Sequence, residues 1–329
     1  MLSGNDSILG YGKHILDEFA FESGKVLENV EVEYSIYGTP KYDDEGRIIN
    51  AIIYCHKFNG NYSSFLDEYQ IAGKGEPFDQ KEYCFISITT LGFPDSCSPS
   101  TTGLKHSFPE YTIKDRVNFK RQFLKDKFNM DRVHGIAGRG LGGYEIFTWA
   151  CEYPDEMDFL IICNSSFKTS GFRYVISKAV ASIIESNDAF YDEIYSETLS
   201  RVMVSIYRLL YSNHVSKQIF QEMSNDEIDV LMDDFVDEGL FTDIYDFKFR
   251  NDCIQDYDVE DKLKNIKAKT LILSSADDLY YSPKYDVLPL EDLIEDSKVI
   301  LFESKKDHSG YEDYSFLMDD FYEFMKDFK

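Results

Sequence analysis

The stretch Val133–Gly143, reading Val-His-Gly-Ile-Ala-Gly-Arg-Gly-Leu-Gly-Gly, limits what this chain can fold into more than any other. A short run suited to a buried strand, Arg132–Ala137, enters a turn dense in glycine, and a helix-forming segment, Tyr144–Glu152, leaves it. Strand, sharp turn and helix are the setting of the nucleophile elbow G-x-S-x-G, in which a strained corner displays a serine hydroxyl. Here the frame is Gly138-Arg139-Gly140-Leu141-Gly142, so the flanking glycines are present and the corner itself is glycine. Glycine enters positive φ without steric penalty, so the exchange keeps the backbone and deletes Oγ. The same residues contain Gly138-x-Gly140-x-x-Gly143, the spacing of a dinucleotide-binding turn, though such a match alone is weak. The turn by itself leaves both readings open.

Composition removes several alternatives. With 60 acidic against 34 basic residues the formal net charge is −26, which argues against nucleic acid and against adsorption to anionic lipid. Six cysteines (Cys55, Cys84, Cys97, Cys151, Cys163, Cys253) show neither C-x-x-C nor metal-ligand spacing, and several sit in apolar runs as small hydrophobes would. That usage predicts a reducing compartment and no metal. No stretch approaches the length of apolar residues a membrane helix needs, and the start of the chain lacks a signal-peptide pattern. The expected location is cytoplasmic.

Apolar runs at Ile48–Cys55, Tyr83–Thr90, Met157–Cys163, Thr270–Ser275 and Lys298–Phe302 read as strands buried on both faces. Val26–Tyr37 alternates as a strand does, and residues 1–24 read as peripheral. Thr112–Phe128 and Tyr314–Phe328 have helical periodicity, as does the shorter Glu291–Glu295. Phe172–Leu240 contains no proline and long 3.6-period stretches, which predicts a helical insertion. Strands with intervening helices imply an α/β class with a mostly parallel central sheet and helices on both faces. The predicted organisation is a core of residues 1–168 and 256–329 with an inserted helical lid at 169–255.

Sites in such sheets collect at the carboxyl ends of strands. One strand leads into Ala276-Asp277-Asp278, the next into Asp307-His308-Ser309-Gly310. The order corner, acid, histidine is that of an acyl-transfer triad on this architecture. Asp277 is the expected acid that sets the tautomer of His308, and His308 the expected general base.

At this point the chain resembles the homoserine O-acetyltransferases of the α/β-hydrolase superfamily, almost from end to end. Phe21-Glu-Ser-Gly-Lys-Val-Leu and Val30–Gly38 are similar to that family's opening strand. Cys55-His56-Lys57-Phe58-Asn59-Gly60 is similar to its oxyanion loop, Gly73–Asp79 to its glycine-proline-leucine-aspartate stretch, and Phe108–Asp115 to the phrase before the elbow. Gly138–Gly143 matches its glycine-glycine-serine-methionine-glycine-glycine, and Ala150–Pro154 the end of the helix after it. The resemblance implies an α/β-hydrolase fold, acetyl-CoA as acyl donor with no cofactor held, a small-molecule acyl substrate and a homodimer. It further implies an oxyanion hole from the backbone N–H groups of Phe58 and Leu141, and Arg201 as the cation for the acceptor's carboxylate.

Gly140 departs from the family, because removing a triad serine costs on the order of a millionfold in turnover. Ser309 stands where the family carries an aspartate, and Arg139 is expected to add bulk and charge at the mouth. Ser63, Ser165 and Ser166 lie on no corner that aims Oγ at His308. The leading expectation is a catalytically impaired homologue, a pseudoenzyme that keeps fold and pocket. Two alternatives remain: an active acyltransferase or esterase whose His308–Asp277 pair works through water or an acceptor, and a Ser-to-Gly form that traps a substrate. A nucleotide-binding module would use an acid about twenty residues past the glycines, where Asp155, Glu156 and Asp158 stand.

Overall fold

The apolar runs become the middle of one eight-stranded sheet in the order β1-β2-β4-β3-β5-β6-β7-β8. The strands are β1 (Gly10–Ala20), β2 (Val26–Gly38), β3 (Ala51–Cys55), β4 (Cys84–Ile88), β5 (Gly135–Arg139), β6 (Phe159–Cys163), β7 (Lys269–Ser275) and β8 (Ser297–Phe302). The computed structural model describes residues 10–192, 197–212, 216–304, 306, 308 and 315–328. β1 and β2 run antiparallel, and β4, β3, β5, β6, β7 and β8 are parallel to one another. Every residue of β3, β4 and β6 is buried, which is why those segments carry no polar alternation. The strand order reverses between β3 and β5, so their carboxyl ends diverge and open a crevice there.

Of residues 1–24, read as peripheral, the described part holds the edge strand of the sheet, and residues 1–9 lie outside the described residues. Gly10–Ala20 pairs along ten positions with β2 at the sheet edge. Only Leu16 and Phe19 in it are buried, so the period-2 apolar signal that reveals a half-buried strand is nearly absent.

Both faces of the sheet are covered. One core joins the sheet to α1 (Ile113–Phe128) and α2 (Leu141–Glu152) through Phe119, Phe123, Ile146 and Phe147. α1 begins at a capping box, in which Thr112 Oγ accepts the Asp115 N–H and the Asp115 carboxylate accepts the Thr112 N–H. Between β6 and β7 the described residues are largely helical. They form α3 (Gly171–Glu185), α4 (Glu197–Tyr211), α5 (Asn225–Phe241) and α6 (Ile244–Asp252), with shorter turns between. α4 and α5 pack so closely that a Cβ on Gly239 would lie 2.6 Å from Val204 Cα, and Tyr211 stacks on Phe235 at 3.6 Å. α7 (Met318–Met325) covers the other face of the sheet with Phe321 and Phe324. The helix expected at Glu291–Glu295 is a single turn, Leu290–Leu293, and Tyr314 lies outside the described residues. Among the described residues no helix is long and apolar enough to cross a membrane.

One group in this core is ionic. Glu145 of α2 meets Arg116 and Lys120 of α1, and all three side chains are 0% exposed. Arg116 Nη2 lies 2.5 Å from Glu145 Oε1, Lys120 Nζ is on Oε2, and the Arg116 guanidinium lies over the Phe93 ring. Burial alone would raise the Glu145 pKa, but the two cations beside it hold it down at about 2. Breaking such a group strands charge in the core. Glu145→Ala therefore costs about 3–5 kcal/mol in urea unfolding, and replacing all three residues with methionine recovers most of it.

Candidate active site

The corner has the elbow's backbone. Gly140 sits at φ 54° and ψ −122° between the end of β5 and the first residue of α2. Its N–H donates to Cys163 O at 3.1 Å, and its carbonyl accepts from Gly143 N–H and from Ser165 Oγ at 2.7 Å. The flanking glycines are there for space. A Cβ on Gly138 would lie 2.2 Å from the Cys55 carbonyl oxygen, one on Gly142 2.0 Å from the same atom, and one on Gly143 2.2 Å from Ser165 Oγ. A Cβ on Gly140, by contrast, meets nothing nearer than Lys57 Cβ at 4.0 Å. The corner therefore has room for a side chain and carries none.

The loop after β3 faces this corner and is held by His56, which is fully buried. His56 Nδ1 lies 2.9 Å from Lys57 O and its Nε2 lies 3.2 Å from Thr90 N. A carbonyl can only accept and a backbone N–H can only donate, so the ring is the neutral Nδ1–H tautomer. Burial first, then the Lys120 charge, push its pKa down to about 3. The next residue but one, Phe58, accepts at its carbonyl from Arg250 Nη1 at 3.0 Å. Leu141 opens α2, so its N–H belongs to the first turn, where backbone donors have no partner within the helix.

The carboxylate that meets the imidazole is Asp278, which corrects the expectation for Asp277. Asp278 Oδ2 lies 2.8 Å from His308 Nδ1, while Oδ1 accepts the N–H groups of Tyr280 and Tyr281 at 2.8 and 3.0 Å. Asp278 is 4% exposed and Asp277 is exposed to solvent. Asp278 folds back on the backbone two and three residues ahead in an Asx turn. Sequence did not separate two adjacent aspartates, since either has residues ahead to bond. Asn164, which no motif flagged, braces the histidine segment: Nδ2 donates to His308 O at 2.7 Å and Oδ1 accepts from Ser275 N–H at 2.9 Å. The Tyr280 and Tyr281 rings lie 5.0 and 5.5 Å from the imidazole. Asp307, Ser309 and Gly310 lie outside the described residues.

Gly140 and His308 face one cavity of about 790 Å³, together with Phe58, Leu141, Arg173 and Arg250. Arg201 does not line it. That side chain is 76% exposed and pairs with Glu197 one turn back on α4 at 2.5 Å, because the residue falls on the outer face of an amphipathic helix. Arg173 of α3 does line it, nine-tenths buried, with its guanidinium 5.8 Å from the Phe58 and Tyr280 rings and no carboxylate partner among the described residues. Arg139 is buried and lies 3.3 Å from Glu68, which also accepts from Tyr54 OH, so its charge is neutralised inside the fold instead of standing free at the mouth. Ser165, Ser166 and Ser63 donate to Gly140 O, Asp286 and Asn61. The acids weighed for a ribose are taken as well. Asp155 pairs with Lys267, Glu156 with Arg121 and Asp158 with Arg132, all ahead of β6 and so at the amino end of the sheet, away from the glycine turn.

Asp246, also on the cavity wall, is fully buried and accepts from Ser100 N–H and Oγ–H at 2.8 and 2.5 Å. Burial pushes its pKa up to about 6. A raised folded-state pKa stabilises the protein fully below the unfolded value near 3.8, and that contribution fades as pH rises through 6. Asp246→Asn keeps an acceptor for the Ser100 N–H. The variant should flatten the stability profile between about pH 4 and 6, a difference on the order of 3 kcal/mol read by urea unfolding across pH.

A parallel sheet with a glycine elbow after β5, a histidine–carboxylate pair beyond β7 and β8, and a cavity at the strand reversal defines an α/β hydrolase. No family model matches the chain. A protein of Methanothermobacter thermautotrophicus named a probable acyltransferase is 39% identical over 296 residues, covering 90% of this chain and 91% of that one. The homoserine O-acetyltransferase of Methanosalsum zhilinae is 26% identical over 317 residues, and the match covers 82% of this chain and 62% of that protein. The crystal structure of homoserine O-acetyltransferase from Bacillus anthracis superimposes with a TM-score of 0.83 at 19% identity, over 96% of this chain and 97% of that one. The chain belongs to the homoserine O-acetyltransferase family of α/β hydrolases.

Proposed function

We propose that this protein binds an acyl donor and an acceptor in the cavity around Gly140 and has no route through a serine acyl-enzyme. One observation carries the reading: a corner with elbow dihedrals, open space in front of it and no hydroxyl on it. In this reading the N–H groups of Phe58 and Leu141 stabilise a developing oxyanion, a task of the backbone that loss of a side chain leaves intact. Asp278 and His308 are the acid and base. The relatives named homoserine O-acetyltransferase suggest acetyl-CoA as donor and a homoserine-like acceptor. Helices α3 to α6 form the lid of the cavity, within residues 169–255, over a core of 1–168 and 256–329, and the lids pair into a homodimer. Six free cysteines, five of them buried, accord with a cytoplasmic location.

Intact mass after incubation with acetyl-CoA or p-nitrophenyl acetate tests this directly. The native chain stays unmodified, whereas Gly140→Ser gains one acetyl group and at least about a thousandfold in ester turnover. An acetylated native chain overturns the reading.

The retained His308–Asp278 pair at 2.8 Å favours a second reading in which the imidazole activates water for slow ester hydrolysis. That activity disappears in His308→Ala. In either reading Arg173 takes the acceptor's carboxylate. In the Gly140→Ser background, Arg173→Ala raises the KM for homoserine at least about tenfold, and Arg201→Ala leaves it unchanged.

A further inference from the structure

We infer that the open space at Gly140 is the seat of the acceptor's own hydroxyl, so that the acyl group passes from donor to acceptor within one ternary complex. The inference rests on the acyl-binding role proposed for the cavity and specifies how that cavity transfers the group.

Three features of the chain lead there. Behind the corner every position is filled, since Cβ atoms on Gly138, Gly142 and Gly143 would strike neighbours at 2.0–2.2 Å. In front of it, a Cβ on Gly140 would meet one atom, Lys57 Cβ at 4.0 Å. The opening is therefore local to the corner itself, and Gly140 and His308 line the same cavity.

The imidazole is also oriented for work. Its Nδ1 is committed to Asp278, whose other oxygen is tied to two backbone N–H groups, and Asn164 holds the His308 carbonyl. With the proton on Nδ1, the basic lone pair belongs to Nε2. Finally, about 790 Å³ is in the upper part of the range for small-molecule sites, so donor and acceptor can be present together.

The step balances without a covalent protein intermediate. The acceptor's O–H proton moves to His308 Nε2 as its oxygen bonds to the donor's carbonyl carbon. The tetrahedral oxyanion forms between the Phe58 and Leu141 N–H groups. Collapse breaks the donor's C–S bond in a thioester, or C–O bond in an ester, and the imidazolium returns the proton to the departing thiolate or alkoxide. The acceptor's carbon skeleton in the seat keeps water from the same position.

Initial rates with p-nitrophenyl acetate as donor and L-homoserine or ethylene glycol as acceptor test the inference on the native chain, with products and protein followed by mass. The expected result is acetylated acceptor, intersecting double-reciprocal lines and unmodified protein. Gly140→Ser converts the pattern to parallel lines with acetylated protein, and His308→Gln lowers native transfer about a hundredfold or more. Acetate as the sole acetyl product at saturating acceptor overturns the inference while the acyl-binding reading stands. No release of p-nitrophenolate above buffer also overturns it. Acetylated native protein instead overturns the absence of a covalent route, so the two failures are distinct.

Discussion

One carbonyl oxygen, that of Cys55 at the end of β3, sits where side chains on two other elements would have to be. Gly138 on β5 and Gly142 on α2 both close on it, and a single added carbon at either would come within 2.0–2.2 Å. That contact lets the elbow helix start directly against the central strands. It also brings the loop after β3 and the corner after β5 to opposite sides of one crevice. With strand and helix so placed, Gly140 is driven to φ 54°, and the cavity follows from the divergence of the loops.

The charges beneath the crevice follow from the same closeness. α1 and α2 bury Arg116, Lys120 and Glu145 together, with two cations on one carboxylate. The two cations reach His56, already neutral through burial, and, against the opposing pull of Glu145, help lower its pKa to about 3. A neutral His56 donates to Lys57 O and accepts from Thr90 N–H, which holds the loop carrying Phe58 in place. A core ion group and a candidate oxyanion loop are thus coupled through one imidazole. The cost of burying such charge is met by pairing, and a hydrophobic substitute of equal volume would serve stability as well.

How much was legible beforehand depended on whether the information was local. The buried strands showed as apolar runs because a strand covered on both faces admits almost nothing else, as in β3 and β6. The turn showed because three glycines answer steric limits set within one strand–helix unit and its neighbour. β1 did not show, since an edge strand with two buried residues lacks an apolar period. Asp278 was one residue from the expected acid, and the choice fell to which carboxylate the turn directs inward. Arg173 lines the cavity and Arg201 does not, because the face of a helix that meets a cavity depends on how the helix docks, and both residues sit in apolar-patterned helices. Asn164 and the Arg139–Glu68 pair bridge elements distant in sequence, and no spacing rule links them.

The amino-acid sequence alone determined the sheet's buried strands, the elbow at Gly138–Gly143 and the absence of a hydroxyl at Gly140, because each is a matter of residue type at a locally constrained position. Tertiary structure alone decided which aspartate meets His308, which arginines face the cavity and how the loop after β3 is held. Those outcomes depend on distances between segments scores of residues apart, and such distances exist only once the helices have docked on the sheet and shut water out of the core.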